Sequence, residues 1–183
     1  MNDPLNLTQT RVLLAHRNNA AAKLFESMLR GFGIHNIHTA RSAKDLAENF
    51  SAGHIDMAII DNSVGRKEIP GILSHVRRGR TSTSRDIPIV LSYCHSSYGD
   101  VLKFRDSGAN MIMSAPISVN SVYNRLDWIA RKPRPFVVAD KYCGPCRRVT
   151  GKTESTGLAR RHSDPKPRLH KKPAAEVEDL EFV

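Results

Sequence analysis

The sequence predicts an α/β protein built as a doubly wound parallel sheet, and three observations predict it. Short aliphatic or β-branched runs recur five times between residues 11 and 113. Each is followed by a segment whose apolar residues fall at helical spacing. The middle run, Met57-Ala-Ile-Ile-Asp61, is apolar on both faces, as a strand covered by helices on both sides must be.

The elements follow in order. Arg11–Ala15 reads as the first strand. Asn18 or Asn19 caps a helix carrying Ala21, Leu24, Phe25, Met28 and Leu29, which Gly31 and Gly33 stop. Asn36–Ala40 is the second strand, and Ser42 caps a helix with Ala43, Leu46, Ala47 and Phe50 that ends at Gly53. The third strand is 57–61. Ile69 to Arg78 forms a helix with Ile72, Leu73 and Val76 inward, then 79–85 is a polar loop. Ile87–Ser92 is the fourth strand, and Tyr98–Ser107 a helix bearing Val101, Leu102 and Phe104. Met111–Met113 is the fifth strand, and Ser118–Ala130 the last helix, with Val119, Val122, Leu126 and Ile129 on one side.

Strands alternating with helices predict a parallel sheet covered on both faces. Right-handed crossovers place the first and fifth helices on one face and the other three opposite. Ligands of such sheets gather beyond the carboxyl ends of the strands, at the switch point between strands one and three. That point holds Ala15, His16 and Arg17 from the first strand and Asp61 from the third.

Composition bounds the function. The 183 residues are 40% hydrophobic and 25% charged, ordinary for a soluble globular protein. No apolar run exceeds four residues, as in Met57–Ile60, so no spanning helix is expected, and the polar N-terminus is no signal peptide. A cytoplasmic location is the expectation. Three cysteines argue against a secreted disulfide framework. Net charge is +10 and uneven: residues 131–172 hold 13 Lys/Arg against 3 Asp/Glu, whereas 173–183 hold 4 acidic residues and no basic ones. The expected organisation is an N-terminal extension over 1–9, a domain over 10–130, an extension over 131–150 that docks on it through Phe136–Ala139, and a disordered tail over 151–183.

Three stretches carry a resemblance. Ile55-Asp-Met-Ala-Ile-Ile-Asp61 is similar to the third strand and phosphoacceptor aspartate of bacterial response-regulator receiver domains. Asp86-Ile-Pro-Ile-Val-Leu91 resembles their fourth strand, and Gly108-Ala-Asn-Met-Ile-Met-Ser-Ala-Pro116 their Gly-Ala-Asp…Lys-Pro stretch. A shorter match, Tyr142-Cys-Gly-Pro-Cys-Arg-Arg148, is similar to an extension found after some stand-alone receivers. The resemblance implies a flavodoxin-like (βα)5 fold with strand order 2-1-3-4-5, and two-component (phosphorelay) signalling through a protein partner such as a histidine kinase.

The family's chemistry needs an attacking aspartate, an acidic pair after strand one that helps hold Mg²⁺, a Ser/Thr after strand four, and a Lys before the strand-five proline. Asp61 keeps the phosphoacceptor position. The acidic pair falls on His16 and Arg17, the lysine on Ala115 before Pro116, and the hydroxyl on either Ser92 or Tyr93. One carboxylate beside a guanidinium has no excess negative charge for Mg²⁺, which wants carboxylates and water. The expectation is therefore a degenerate receiver without metal or cofactor, Arg17 pairing with Asp61 in the cation's place. The alternatives are a working phosphoacceptor at Asp61 and an effector binding a cyclic dinucleotide or nucleic acid through Arg77, Arg78 and Arg80, with Arg160 and Arg161 a second basic cluster. No aromatic interleaving in the sequence supports nucleic-acid binding.

Other signals favour bland readings. Cys143-Gly-Pro-Cys146 has thioredoxin-like and zinc-like spacing, but too little chain follows for the first, and His162 and His170 are off pattern for the second. A surface turn at Gly144-Pro145 is the better reading. Cys94 reads as a small hydrophobe. The scattered histidines support no hydrolase triad, and no catalysis is expected. Met113, Tyr123 and Trp128 are candidate anchors for a partner on the surface of the fourth helix, fifth strand and fifth helix.

Overall fold

A computed structural model describes residues 7–93 and 98–147. Five strands, β1 (Arg11–Ala15), β2 (Asn36–Ala40), β3 (Met57–Asp61), β4 (Ile89–Tyr93) and β5 (Met111–Ser114), form one parallel sheet in the order β2-β1-β3-β4-β5. Five helices cover it: α1 (Asn19–Gly31), α2 (Ala43–Ala52), α3 (Ile69–Arg77), α4 (Tyr98–Asp106) and α5 (Val119–Arg131). The expected strand order and helix placement agree with this arrangement. β4 begins two residues later than its apolar run, because Pro88 precedes the ladder and offers only its carbonyl, to Ala58 N–H at 2.9 Å.

Local chemistry sets the helix ends. Asn18 and Ser42 accept hydrogen bonds from Ala21 and Asp45 N–H at the starts of α1 and α2. Ser118 and Ser121 form a reciprocal capping box on α5. Side-chain alternation divides the core. Val12, Leu14, Met57, Ile59, Val90 and Met113 meet α1 and α5 through Phe25, Leu29, Val122, Leu126 and Ile129. Leu13, Ala15, Ala58, Ile60, Ile89 and Leu91 meet α2, α3 and α4 through Leu46, Phe50, Ile69, Leu73, Val76 and Phe104. Each fully buried aliphatic side chain contributes roughly 1.5–3 kcal/mol.

The chain after α5 departs from the sequence reading. Phe136–Ala139 (β6) and Tyr142–Pro145 (β7) pair as an antiparallel hairpin. Its turn lies at Asp140-Lys141, and Gly144 and Pro145 are buried strand residues rather than a surface turn. The reason is close packing. Gly144 lies against Gly108, where a Cβ on Gly144 would stand 2.9 Å from the Gly108 Cα. Cys143 Sγ donates to the Arg77 carbonyl at 2.8 Å, and Arg147 pairs with Asp106.

Beneath the hairpin sits Arg77, 1% exposed. Its guanidinium donates to the carbonyls of Gly108 (2.8 Å), Arg85 (2.5 Å) and Ile87 (2.8 Å) and to Asn110 Oδ1 (2.7 Å). Burial pushes its pKa down to about 10, so it stays charged at neutral pH. Asn110 Oδ1 also accepts from Ile89 N–H at 2.8 Å, which ties the start of β4 to the turn before β5. Arg77 is thus a structural tie, which removes it from the ligand-binding trio with Arg78 and Arg80; those two are exposed.

Two stability predictions follow from these contacts. Arg77→Met leaves the buried bonds to the Gly108 and Ile87 carbonyls and the part-buried one to Arg85 without their donor, and should lower unfolding free energy by about 3 kcal/mol or more in urea titration. At the amino end of β1, Arg11 binds Asp56 with Nε at 3.0 Å and Nη2 at 2.9 Å, and those bonds hold the Asp56 carboxyl below its usual range. A depressed carboxylate contributes stability above its unfolded pKa of about 4 and loses it as pH falls through the folded value. The stability difference between the wild type and Asp56→Asn should therefore shrink steadily below about pH 4.

Candidate functional site

The site is a row across the sheet. Ala15 pairs with Ile60, so the next step along both strands sets His16 beside Asp61. Asp61 pairs with Ser92, and Ser92 with Met113. Paired residues of neighbouring strands point to the same face. His16, Asp61, Ser92 and Met113 therefore share the face of α1 and α5, and Arg17 falls on the opposite parity.

This alternation corrects the expected ion pair. His16 Nε2 lies 3.8 Å from Asp61 Oδ1, with both side chains 13% exposed. Arg17 is exposed; its backbone N–H donates to Ser63 Oγ at 3.2 Å, and among the described residues its guanidinium makes no ion pair with Asp61. The basic neighbour of the carboxylate is an imidazole, not a guanidinium.

Asp61 is engaged on both oxygens. Oδ1 accepts the Ser63 N–H at 2.9 Å, in the turn that follows β3. Oδ2 accepts from Ser92 Oγ at 2.8 Å. Ser92 is 1% exposed, so the choice between Ser92 and Tyr93 resolves geometrically: the serine hydroxyl is on the carboxylate, and Tyr93 is one residue further on, opposite Ser114. Ala115 is exposed, its N–H donating to the Tyr93 carbonyl at 3.0 Å, and its bond to Pro116 is cis. With a methyl at position 115, no ammonium reaches the crevice from there.

His16 is itself positioned. Its ring lies 6.2 Å from that of Phe25 in α1, and its Nδ1 accepts the Asn18 N–H at 3.0 Å. An accepting Nδ1 carries no proton, so the neutral ring bears its proton on Nε2, facing Asp61. At 3.8 Å the contact is longer than a hydrogen bond, and it becomes an ion pair when the ring is protonated.

The donor set does not fit Mg²⁺. Around Asp61 the described side chains supply one carboxylate, the hydroxyls of Ser63 and Ser92 and one imidazole, whereas Mg²⁺ selects several oxygens, carboxylates among them, in an octahedron. Among the described residues no group of three His, Cys, Asp or Glu could hold a metal ion. Cys143 and Cys146 belong to the hairpin, and the described residues bring no histidine to them. Cys94, Arg160, Arg161, His162, His170 and the tail lie outside the described residues.

The candidate partner anchors separate. Met113 is 3% exposed and belongs to the core, because it ends the same buried row as Ser92. Tyr123 is half-buried, edge-on to Phe32 at 5.3 Å, and Trp128 is half-buried under the Arg134 guanidinium at 5.2 Å. His16 facing Asp61 was missed in the sequence. Strand length alone gave no signal: β1 and β3 are equal in length, and matching their ends would set Ala15 opposite Asp61, one residue out of the observed register.

The tautomer gives a direct check. Long-range proton–nitrogen NMR at about pH 8, above the usual His pKa, should show His16 protonated on Nε2. A ring protonated on Nδ1 would contradict the geometry.

No protein-family model and no curated protein matches this sequence. Solved structures do resemble it. The receiver domain of a sensor histidine kinase from Pseudomonas aeruginosa, with magnesium coordinated in its active-site cleft, is 18% identical, with a TM-score of 0.58 over 66% of this chain and 98% of that one. A CheY-like receiver domain from Methanospirillum hungatei is 14% identical, with a TM-score of 0.57 over 64% and 90%. An orphan response regulator of H. pylori is 17% identical, with a TM-score of 0.55 over 66% and 95%. The chain has the fold of response-regulator receiver domains.

Proposed function

We propose that this protein is a stand-alone receiver-like component of two-component signalling that acts by protein–protein contact and does not run metal-dependent phosphoryl transfer. The observation that carries the reading is the state of Asp61. Both carboxylate oxygens have donors, and His16 Nε2 stands 3.8 Å from Oδ1. Receivers use a divalent ion to neutralise charge on the transferring group. Here an imidazole takes that position, and an imidazole cannot bind a carboxylate and an incoming phosphoryl oxygen together as an aquated metal does.

The reading assigns the protein no catalysis and no resident cofactor. Its partner is a histidine kinase or another signalling protein, and Tyr123 and Trp128 on α5 offer contact area there. Among the described residues no helix is long and apolar enough to cross a membrane, and a cytoplasmic site of action is part of the proposal.

A second reading, a working phosphoacceptor at Asp61, draws on Ser92. Its hydroxyl already stands 2.8 Å from Oδ2, where it would meet a phosphoryl oxygen. Incubation with acetyl phosphate and Mg²⁺, followed by intact mass, separates the two. The wild type should gain no stable phosphoryl group. The double variant His16→Asp/Arg17→Asp, which restores carboxylates at the end of β1, should bind Mg²⁺ at least about tenfold more tightly. A phosphoryl group on wild-type Asp61 would establish the second reading instead.

A further inference from the structure

The opposite end of the sheet, at the amino ends of β4 and β5, carries a surface that the signalling crevice does not use. Three arginines there lie over aromatic rings: Arg85 over Phe136 at 5.2 Å, Arg134 over Trp128 at 5.2 Å, and Arg147 over Tyr142 at 4.1 Å. Such contacts occur about once per 70–80 residues, so two would be ordinary for this chain. All three among the described residues lie at this end of the sheet.

Contacts link the three stacks. Asp86, next to Arg85, shares a shallow cavity of about 60 Å³ with Trp128, Lys132 and Arg134. The Cys146 N–H donates to the Pro135 carbonyl at 2.7 Å, which joins the Arg147 end of the hairpin to the Arg134 end. Arg78, Lys132 and Lys141 are exposed around it. The carboxylates present are Asp86, 3.8 Å from Arg85, Asp106, paired with Arg105 and Arg147, and Asp140 in the hairpin turn. Exposed pairs of this kind hold their partners weakly and give way to a stronger anion. Arginine laid on a ring is already flat and ordered, with its outer face free to stack and its edge free to fork onto phosphate.

We infer that this hairpin face binds single-stranded nucleic acid. Bases stack on the ordered guanidinium planes, and the surrounding cations follow the phosphates. Two of the stacks join near neighbours in sequence, Arg134 with Trp128 and Arg147 with Tyr142, and the fold adds the third by laying Phe136 against the loop that carries Arg85. An extended strand suits the surface better than a compact cyclic dinucleotide, because the cations are spread from the loop before β4 and the end of α5 to the hairpin's turn and its open end.

The test is fluorescence anisotropy of the full chain with labelled single-stranded RNA and, separately, DNA of about 16 nucleotides, at about 50 and about 200 mM salt. Binding to either, weakened about tenfold or more by the added salt, is expected. The triple variant Arg85→Lys/Arg134→Lys/Arg147→Lys keeps the charge and loses the planes, and should bind about tenfold more weakly. Lys23→Ala/Lys44→Ala, exposed on α1 and α2, should bind as the wild type does. Circular dichroism confirms that each variant folds, and whatever charge residues 148–183 bring is the same in all. The inference fails if neither nucleic acid binds at low salt, if the lysine triple binds as tightly as the wild type, if the Lys23/Lys44 pair loses as much as the triple, or if only a cyclic dinucleotide binds.

Discussion

The register between β1 and β3 is the constraint on which the site depends. A parallel pair with one face toward α1 and α5 and the other toward α2–α4 cannot slip by one residue without sending every buried side chain to the wrong layer. Val12 and Leu14 on one side, and Leu13 and Ala15 on the other, are all 2% exposed or less, so the register is fixed by the core. Once fixed, it leaves no choice at the carboxyl end. The sixteenth residue meets Asp61 because the twelfth meets Met57.

That constraint changes the chemistry of the crevice. A guanidinium would be a permanent cation beside Asp61. An imidazole is a cation only when protonated, and its Nδ1 is already committed to the Asn18 N–H at the entrance to α1. The pair is therefore coupled to the helix cap as well as to the carboxylate. Ser63 and Ser92 add a donor to each oxygen, so that the Asp61 carboxylate is hydrogen-bonded by this chain's own groups. A partly buried carboxylate already holding two donors gives up those bonds before it meets a new partner.

Much of the architecture was legible because the sheet's two periodicities are written locally. Strands such as Met57–Asp61 are short and apolar throughout, and Asn18, Ser42 and Ser118 announce the helices they cap. The site was half legible. Asp61 sits where its run of apolar residues ends, but whether His16 or Arg17 meets it is decided by pairing across 45 residues, which composition does not show. Arg77 shows the same limit. In sequence it belongs to a basic cluster with Arg78 and Arg80, yet it falls at the inward position of α3, one residue after Val76, and is consumed by carbonyls. The hairpin was hidden for a related reason. Gly144-Pro145 has turn chemistry, but Gly144 is needed where β7 passes within contact of Gly108, and the turn itself is made by Asp140-Lys141.

Arg77 also explains why the two ends of the sheet can serve different purposes. A buried cation without a carboxylate in contact is tolerated when each of its nitrogens finds an acceptor, and here three carbonyls and Asn110 supply them. Those acceptors come from the loop before β4 and the turn before β5, and the Arg77 carbonyl in turn receives Cys143 of the hairpin. One side chain thus fixes the loop bearing Arg85 relative to the strand bearing Tyr142. The arginine–ring stacks on the surface above it are ordered by this tie, while the Asp61 row is ordered by strand register at the other end. Since neither depends on the other's contacts, a partner at one end need not alter the geometry of the other, and coupling between them would have to pass through the sheet itself.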